Sequence, residues 1–219
     1  METRETLFEL PGCTVNLTVV KNVEELITDP TDEDKVPCWA EIWPSARGLS
    51  QWIWGNLRFN GEELLELGAG LGLPGIVCGL RGATVTFSDF NPLALELASI
   101  NAAGNGLKNY QTFLGDWRKF KITKKFDWVI GSDIFYDPKL NVHLLNVIRN
   151  VIVEGGNLLI AHPGRPATFD FIKEICAPAK TDRCDFMMPI IIDDPYFPYY
   201  EIHIHHIKFR SQKPEVRSQ

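Results

Sequence analysis

A glycine-rich turn between an apolar run and a helix start most constrains what this chain can fold into. Residues 63–76 read ELLELGAGLGLPGI, in which a predicted buried strand is followed by Gly68, Gly70 and Gly72. Glycine lets a backbone turn sharply and approach a ligand with no side chain in the way. A helix is predicted to begin near residues 71–74, and its N-terminus offers N–H groups and the positive end of its dipole. The segment therefore predicts a strand–loop–helix unit that binds a polar ligand, with a purely structural turn as the alternative.

Strands and helices alternate on the C-terminal side of this turn. We predict strands at residues 63–67, 84–88, 111–114, 126–131 and 158–161, separated by helices at 73–81, 92–101 and 139–151. Gly104 and Gly155 are expected at helix ends. Residues 168–176 are predicted to form a last helix, and residues 183–192 and 200–209 to form two consecutive strands. This order predicts an α/β fold with a mainly parallel sheet, covered on both faces and extended by a C-terminal antiparallel hairpin.

The first 60 residues are predicted to be an extension of the same domain. Residues 13–21 alternate in the manner of a strand, residues 29–35 form an acidic loop, and residues 48–57 carry apolar residues at helical spacing. A length of 219 residues fits one domain. We therefore predict a single domain over 1–219, with an N-terminal extension at 1–60 and a catalytic core at 61–210.

Composition excludes several classes of protein. A formal net charge of -6 and a pI near 5.4 argue against tight nucleic-acid binding, which needs a basic face. No run approaches the ~20 apolar residues of a membrane-spanning helix, and the first residues lack the apolar run of a signal peptide. The five cysteines are scattered without a C-x-x-C pair, so we expect neither disulfides nor a zinc site. We expect a cytoplasmic protein with reduced thiols.

The residues around the loop distinguish between two classes of cofactor. A dinucleotide fingerprint, G-x-G-x-x-G, would need glycine where this chain has Leu73. Glu66 stands two residues before Gly68, and we interpret it as an anion at the loop mouth. Such a charge would repel a pyrophosphate and favour a ligand with an ammonium group and a sulfonium. This reasoning favours S-adenosylmethionine.

Two further acids follow predicted strands. Asp89 ends the second strand of the core, where a carboxylate would accept hydrogen bonds from ribose hydroxyls. Asn91 is the better candidate for the N-cap of the next helix, which leaves Asp89 for the ligand. Asp116 would accept from an adenine amino group while Trp117 packs on the ring. The alternative for this pair is a loop acid beside a core tryptophan.

Taken in this order, the motifs resemble those of class I, seven-stranded methyltransferases, and the resemblance covers residues 37–209. Residues 37–48 (PCWAEIWPSARG) and 126–136 (FDWVIGSDIFY) are similar to the protein-lysine methyltransferases of methyltransferase family 16. That family carries a D-x-x-Y motif, here Asp133 to Tyr136. The W-x-x-x-W-P stretch at residues 39–44 most resembles the branch that methylates lysines of the electron-transfer flavoprotein β subunit.

The resemblance implies a doubly wound, seven-stranded, Rossmann-like methyltransferase fold, and it implies roles for individual residues. Residues implied to bind S-adenosylmethionine, and its product S-adenosylhomocysteine (SAH), are Trp43, Glu66, Gly68, Ala69, Gly70, Asp89, Phe90, Asn91, Asp116, Trp117 and Ser132. Asp133 and Tyr136 would be the catalytic residues at the methyl-acceptor pocket. The fourth core strand does not end in N-P-P-Y, which counts against amide-type acceptors such as glutamine or adenine.

The implied reaction is methyl transfer to a protein lysine, without a metal. Methyl transfer is an in-line displacement, so positioning supplies most of the rate. The amine must be neutral, against a reference pKa near ~10.4. Asp133 would orient the amine or accept its proton through water, and Tyr136 would shape the pocket. The alternative for Asp133 is a helix cap before Pro138.

Other interpretations stay open at this point. The chain is predicted to be an enzyme that acts on a protein, as a monomer. A small-molecule methyltransferase of the same fold and a non-catalytic scaffold are the alternatives. His203, His205 and His206 do not indicate a metal site, because only 203 and 205 would share a face of a strand. The aromatic residues between 196 and 200 would either wall the acceptor pocket or pack within the hairpin.

Overall fold

The computed structural model describes residues 1–29, 31, 35–177 and 181–210. The strands are β1 (Thr3–Leu10), β2 (Cys13–Val20), β3 (Glu63–Leu67), β4 (Thr84–Asp89), β5 (Tyr110–Leu114), β6 (Phe126–Ser132), β7 (Ile152–His162), β8 (Thr181–Ile191) and β9 (Tyr199–Phe209). The helices are α1 (Pro44–Asn56), α2 (Leu73–Leu80), α3 (Pro92–Gly104), α4 (Pro138–Val151) and α5 (Pro166–Cys176).

A seven-stranded sheet with the order β5-β4-β3-β6-β7-β9-β8 forms the centre of the fold. The first five strands in this order pair in parallel, and β9 pairs antiparallel with both β7 and β8. Helices cover both faces of the sheet, so central strands are apolar on both sides, as Leu64 and Leu65 in β3 illustrate with no exposed surface. The predicted doubly wound sheet with its C-terminal hairpin is confirmed.

Local signals explain where the helices begin. Proline is the first residue of α1, α3, α4 and α5, where its missing N–H costs no helical hydrogen bond. Asn91 caps α3, as predicted, because its side chain accepts from the Leu93 N–H at 2.9 Å. Asp137 caps α4 by accepting from the Lys139 N–H at 2.8 Å, so the alternative of Asp133 as a helix cap is wrong.

Gly155 does not end a helix, contrary to the prediction. Helix α4 stops at Val151 and the chain continues directly into β7. Gly155 lies inside this long strand with φ of +78°, near a register shift in the pairing of β6 with β7. The glycine therefore allows a strand irregularity.

The N-terminal extension contains a hairpin of which only the second strand was predicted. Strand β1 pairs antiparallel with β2, and its charged, exposed residues hid it from the apolar pattern. The hairpin docks on α3 through side-chain amides: Asn101 accepts from the Thr18 N–H at 2.7 Å and Asn105 from the Asn16 N–H at 2.9 Å. Most of the predicted acidic loop, at residues 30 and 32–34, lies outside the described residues.

The fold has a switch point between β3 and β6, where the chain turns from building one half of the sheet to the other. Ligands of such sheets bind in the crevice outside the carboxyl ends of the strands at this point. The glycine-rich loop follows β3 and Asp133 follows β6, so both lie at that edge. Among the helices of the described part of the chain, none has the length and apolarity needed to cross a membrane.

Candidate active site

A cavity with about 720 Å³ of empty space, part of it open to solvent, lies at this edge of the sheet. Ten of the thirteen predicted site residues line it: Trp43, Gly68, Ala69, Gly70, Asp89, Phe90, Trp117, Ser132, Asp133 and Tyr136. The other three, Glu66, Asn91 and Asp116, lie outside its lining. The cavity thus joins the ends of β3, β4 and β6 with the segment before α1.

The glycine loop approaches its neighbours too closely for any side chain. Gly68 and Gly70 have φ values of +62° and +53°, a left-handed conformation that favours glycine. A Cβ on Gly68 would lie 2.7 Å from Cγ2 of Ile134, and a Cβ on Gly70 would lie 3.0 Å from the carbonyl oxygen of Trp39. Backbone atoms therefore form this wall of the cavity.

Asp89 links the loop to the end of β4 and lines the cavity. Its Oδ2 accepts from the Gly70 N–H at 3.0 Å and its Oδ1 from the Asn91 N–H at 3.0 Å. The residue is 4% exposed, and this burial raises the pKa of its carboxyl group above the ordinary value despite the two N–H donors. Each carboxylate oxygen can accept a second hydrogen bond. The chemistry of Asp89 therefore fits a ligand hydroxyl.

Glu66 lies beneath the loop, so the premise that its charge stands at the loop mouth is wrong. Its Oε2 accepts from the N–H of Gly75 in α2 at 3.1 Å. Burial, with a contribution from the nearby Asp89 charge, raises the pKa of its carboxyl group to about 8. Glu66 is therefore mainly protonated at neutral pH, and it fastens the start of α2 to β3.

Asp116 belongs to a second hollow beside the main cavity. This hollow, with about 520 Å³ of empty space, shares Phe90, Trp117 and Tyr136 with the cavity. Asp116 accepts at 2.9 Å from both the N–H and the side-chain Nε–H of Arg118, and these contacts lower the pKa of its carboxyl group although partial desolvation opposes them. The indole nitrogen of Trp117 is buried, with no hydrogen-bond partner among the described residues.

The segment before α1 forms another wall of the cavity, next to the glycine loop, which it meets at Trp39. The Trp43 Nε1–H donates to the Cys38 carbonyl oxygen at 2.7 Å, which fixes the indole at the cavity. Cys38, Trp39, Glu41 and Ile42 also line the cavity, and residue-level reasoning from the sequence missed them. The W-x-x-x-W-P pattern was the available signal, because it places Trp39 five residues before Pro44, the first residue of α1, and Trp43 directly before it.

The side of the cavity predicted to take the acceptor, here called the acceptor side, is organised around the Asp133 carboxylate, whose backbone position is unusual. Asp133 has φ of +57°, the one non-glycine residue with positive φ in the described ranges, and its N–H donates to the Ala161 carbonyl oxygen at 2.8 Å. Its side chain is 6% exposed. Strained backbone of this kind persists where surrounding contacts impose it and is common at functional sites.

Arg165 is the residue of the acceptor side that the sequence interpretation missed. Its guanidinium binds the Asp133 carboxylate with both Nε and Nη2, the latter at 3.0 Å from Oδ2. This ion pair raises the pKa of Arg165, so its cation is fixed beside the cavity. The available signal was Gly164-Arg165-Pro166, a tight turn between β7 and α5 at the ligand-binding edge of the sheet.

The aromatic turn stands apart from the cavity wall. Tyr196 and Phe197 are 85% and 67% exposed, so packing within the hairpin is wrong for these two side chains. Their contact with an acceptor stays a prediction. No group of three His, Cys, Asp or Glu side chains suited to a metal ion occurs within the described ranges.

Comparison with known proteins identifies similar sequences and folds. The family model described as lysine methyltransferase matches residues 22–176. A histidine protein methyltransferase 1 homolog of Dictyostelium discoideum is 34% identical over 128 residues, 55% of this chain and 41% of the relative. A histone-arginine methyltransferase of Rattus norvegicus is 35% identical over 105 residues, 45% of this chain and 47% of the relative. The chain thus matches less than half the length of these two relatives.

The fold is also shared with solved structures. The crystal structure of SMU.776, described as a methyltransferase complexed with SAH, superposes with a TM-score of 0.65. The alignment covers 93% of this chain and 56% of the other, at 13% sequence identity. At this identity the likeness supports the architecture of the sheet and its helices alone.

Proposed function

Since this chain belongs to the lysine methyltransferase family, we propose that it transfers a methyl group from S-adenosylmethionine to a lysine side chain of a protein. The observation that carries the proposal is one cavity lined by both Asp89, beside the glycine loop, and Asp133, whose carboxylate pairs with Arg165. The first group fits a methyl donor and the second an acceptor.

The residues at the ends of β3 and β4 fit the donor. Asp89 would accept hydrogen bonds from the ribose hydroxyls, and the backbone of Gly68 to Gly70 would hold the methionine portion. Trp117, whose buried indole N–H has no partner within the described ranges, and Phe90 would contact the adenine. When bound, S-adenosylmethionine supplies an electrophilic methyl group on a sulfonium. The chain's own task is then to exclude water and to align the acceptor.

Asp133 would orient the acceptor amine. A neutral amine can donate an N–H to the carboxylate while its lone pair points toward the methyl group. Lysine is mostly protonated at neutral pH, with a reference pKa near ~10.4. The cation of Arg165 partly cancels the charge of Asp133, so the pair favours an ammonium less than a lone carboxylate would. Arg165 would therefore help the amine lose its proton to water before transfer.

The Arg165 cation also favours lysine over arginine as the acceptor. An arginine side chain stays charged in proteins, so its guanidinium would enter the pocket against the charge of Arg165. A lysine or a histidine can enter uncharged. The description of the matching family supports lysine between these two, and the similarity of residues 39–44 supports a lysine of an electron-transfer flavoprotein β subunit as a candidate acceptor.

Transfer of labelled methyl groups tests the proposal. A cell lysate is incubated with this protein and methyl-labelled S-adenosylmethionine, and labelled proteins are hydrolysed to amino acids. We expect the wild-type protein to form methyllysine above the background of the lysate, and the Asp133→Asn variant to form it roughly 1,000-fold more slowly. Methylarginine or methylhistidine would exclude the lysine assignment, and label confined to small molecules would exclude a protein acceptor. Failure to bind S-adenosylmethionine at millimolar concentration in calorimetry would exclude the methyltransferase.

The finer parts of the proposal need separate tests. Purified electron-transfer flavoprotein in place of the lysate should take up label in its β subunit. We further propose a monomer, for which light scattering should give a mass near the 24.8 kDa of one chain. The cytoplasmic location stays a prediction, which fractionation of the source cells would test.

A further inference from the structure

A chain of hydrogen bonds runs from the acceptor side into the C-terminal hairpin. The backbone N–H of Arg165 donates to Nδ1 of His162 at 2.9 Å. Nε2 of His162 lies 3.0 Å from Nε2 of His205, and Nδ1 of His205 lies 2.8 Å from Oδ1 of Asp185. His162 has no exposed surface and His205 is 4% exposed. The chain therefore connects the Asp133–Arg165 pair to β8 through two buried imidazoles.

The direction of every hydrogen bond in this chain follows from its first donor. A backbone N–H can only donate, so Nδ1 of His162 must carry a lone pair. In a neutral ring the proton then sits on Nε2, which donates to Nε2 of His205. That nitrogen must accept, so His205 carries its proton on Nδ1 and donates it to the Asp185 carboxylate. The sequence of contacts thus requires two different tautomers, Nε2–H in His162 and Nδ1–H in His205.

We propose that His162 is a positioning residue, which holds the turn before α5 so that the Arg165 guanidinium meets Asp133. The effect of His162 on catalysis rests on the proposed function, in which Asp133 orients the acceptor. The geometric part, that His162 holds Arg165 against Asp133, does not depend on that function. Arg165 lies three residues after His162, and a shift of the turn would move the guanidinium away from the carboxylate.

The surroundings of the two imidazoles keep them uncharged. Burial, assisted by the neighbouring His205, His203 and Arg165, lowers the pKa of His162 to about 3. The pKa of His205 is also lowered, mainly by burial, although Asp185 opposes this effect and Arg183 and His203 assist it. The ring of Phe169 in α5 packs edge-on to His162, with centroids 4.7 Å apart. A proton added to His205 would set two N–H groups against each other and break the chain.

The first test reads the tautomers in the wild-type protein by NMR of its histidine ring nitrogens, and it needs no substrate. We expect Nε2–H in His162 and Nδ1–H in His205 at neutral pH. The side-chain Nε–H signal of Arg165 should be resolved and slow to exchange with solvent, because Asp133 holds it. The opposite tautomers, or a protonated His162 at pH 7, would overturn the proposal even if the enzyme proved active.

Two substitutions then separate positioning from packing. Asparagine at 162 can place its amide oxygen near the position of Nδ1 and keep the contact to the Arg165 N–H. Glutamine can place its amide nitrogen near Nε2, which keeps the contact to His205 and loses that to Arg165. Both variants lose the imidazole ring. His206→Gln is a matched control on the opposite face of β9, where the ring contacts Asn157 at 3.0 Å.

The expected result is an asymmetric response. His162→Asn and His206→Gln should keep the Arg165 Nε–H signal, whereas His162→Gln should lose it. In the labelled methyl-transfer assay the rate constant of His162→Gln should fall about tenfold or more below that of His162→Asn, with the affinity for S-adenosylmethionine unchanged. Equal signals in the two variants at position 162 would overturn the proposal, whether both are kept or both are lost. Inactivity of the wild type would count against the proposed function alone.

Discussion

The two sides of the cavity are built by different means. The donor side consists of backbone at Gly68 and Gly70 and one carboxylate, Asp89, that binds that backbone. The acceptor side consists of a side-chain ion pair between Asp133 and Arg165, 32 positions apart in the chain. The donor side is therefore formed within one strand–loop–helix unit. The ion pair of the acceptor side instead depends on how the end of β6 packs against the turn between β7 and α5.

This difference shows which part of the function a fold fixes. In the proposed function, a glycine loop held against a strand end suits any acceptor, because the loop would contact only the methyl donor. The acceptor side depends on a few side chains that can be exchanged without altering the sheet. The relatives described as histidine and arginine methyltransferases fit this view, since they match parts of the same chain.

The largest effect is expected on the acceptor side. Asp133→Asn should lower the rate of methyl transfer by roughly 1,000-fold, about 4 kcal/mol, because the amide neither orients an amine as well nor balances Arg165. The affinity for S-adenosylmethionine in calorimetry should stay within about twofold, since Asp133 contacts no part of the donor side. Asp137→Asn is the matched control, because asparagine is an equally good helix cap. A large loss of donor affinity in Asp133→Asn would contradict the division into two sides.

On the donor side, backbone geometry should matter more for stability than any single side chain. Gly68→Ala should lower the free energy of unfolding by about 3 kcal/mol, because positive φ and overlap with Ile134 act together. Gly106→Ala isolates the effect of positive φ. Gly106 has φ of +79°, and its Cβ would meet no described atom within 4 Å. It should cost only about 1 kcal/mol. Urea denaturation measures both, and equal losses would exclude the close approach at Gly68.

Asp89 tests the donor side from its side chain. Asp89→Asn should weaken S-adenosylmethionine binding about thirtyfold, close to 2 kcal/mol, because the ribose loses a charged acceptor. Asp116→Asn should weaken binding no more than about threefold, since Asp116 is occupied by Arg118 in the second hollow. Calorimetric titration compares the two variants. A greater loss of affinity in Asp116→Asn than in Asp89→Asn would indicate that S-adenosylmethionine is held mainly in the second hollow and not in the cavity.

The sequence predicted the strands, the glycine loop and the Asn91 cap on this side of the cavity because their signals are local. The order of strands in the chain, the glycine loop, Asp89 and the Asn91 cap all lie in one stretch with regular periodicity. Arg165 and His162 could not be predicted in the same way. Their partners are Asp133 in one direction and His205 in the other, and the distance along the chain hides both contacts. The N-terminal strand β1 escaped notice because charged residues occupy its exposed positions.

The misplacement of Glu66 had a different cause. Residues two apart on a strand share a face, so Glu66 points to the same side of β3 as Leu64, toward α2. Glu66 is close to the glycines along the chain, but this closeness in sequence does not bring its carboxyl group to the ligand. Strand alternation alone would have placed it under the loop.

The expected effect that is smallest when taken per pH unit concerns this buried acid. A carboxyl group with a pKa of about 8 in the folded protein and near 4.5 in the unfolded chain takes up a proton on folding at any pH between these two values. Between these values the folded state binds more protons, so the stability it contributes is full below pH 4.5 and is lost as the pH rises through 8. Each pH unit in the window should lower the free energy of unfolding by about 1.4 kcal/mol.

Glu66→Gln should remove this pH dependence while the amide oxygen keeps the hydrogen bond to Gly75. Urea denaturation between pH 5 and pH 8 would therefore show a smaller fall in the free energy of unfolding for the variant than for the wild type. Donor affinity at pH 7 should hardly change, because Glu66 lies beneath the loop and lines no part of the cavity. If the affinity for S-adenosylmethionine instead fell as far as in Asp89→Asn, donor binding would depend on the charge of Glu66. Glu66 would then belong to the residues that contact the ligand and not only to those that support the loop.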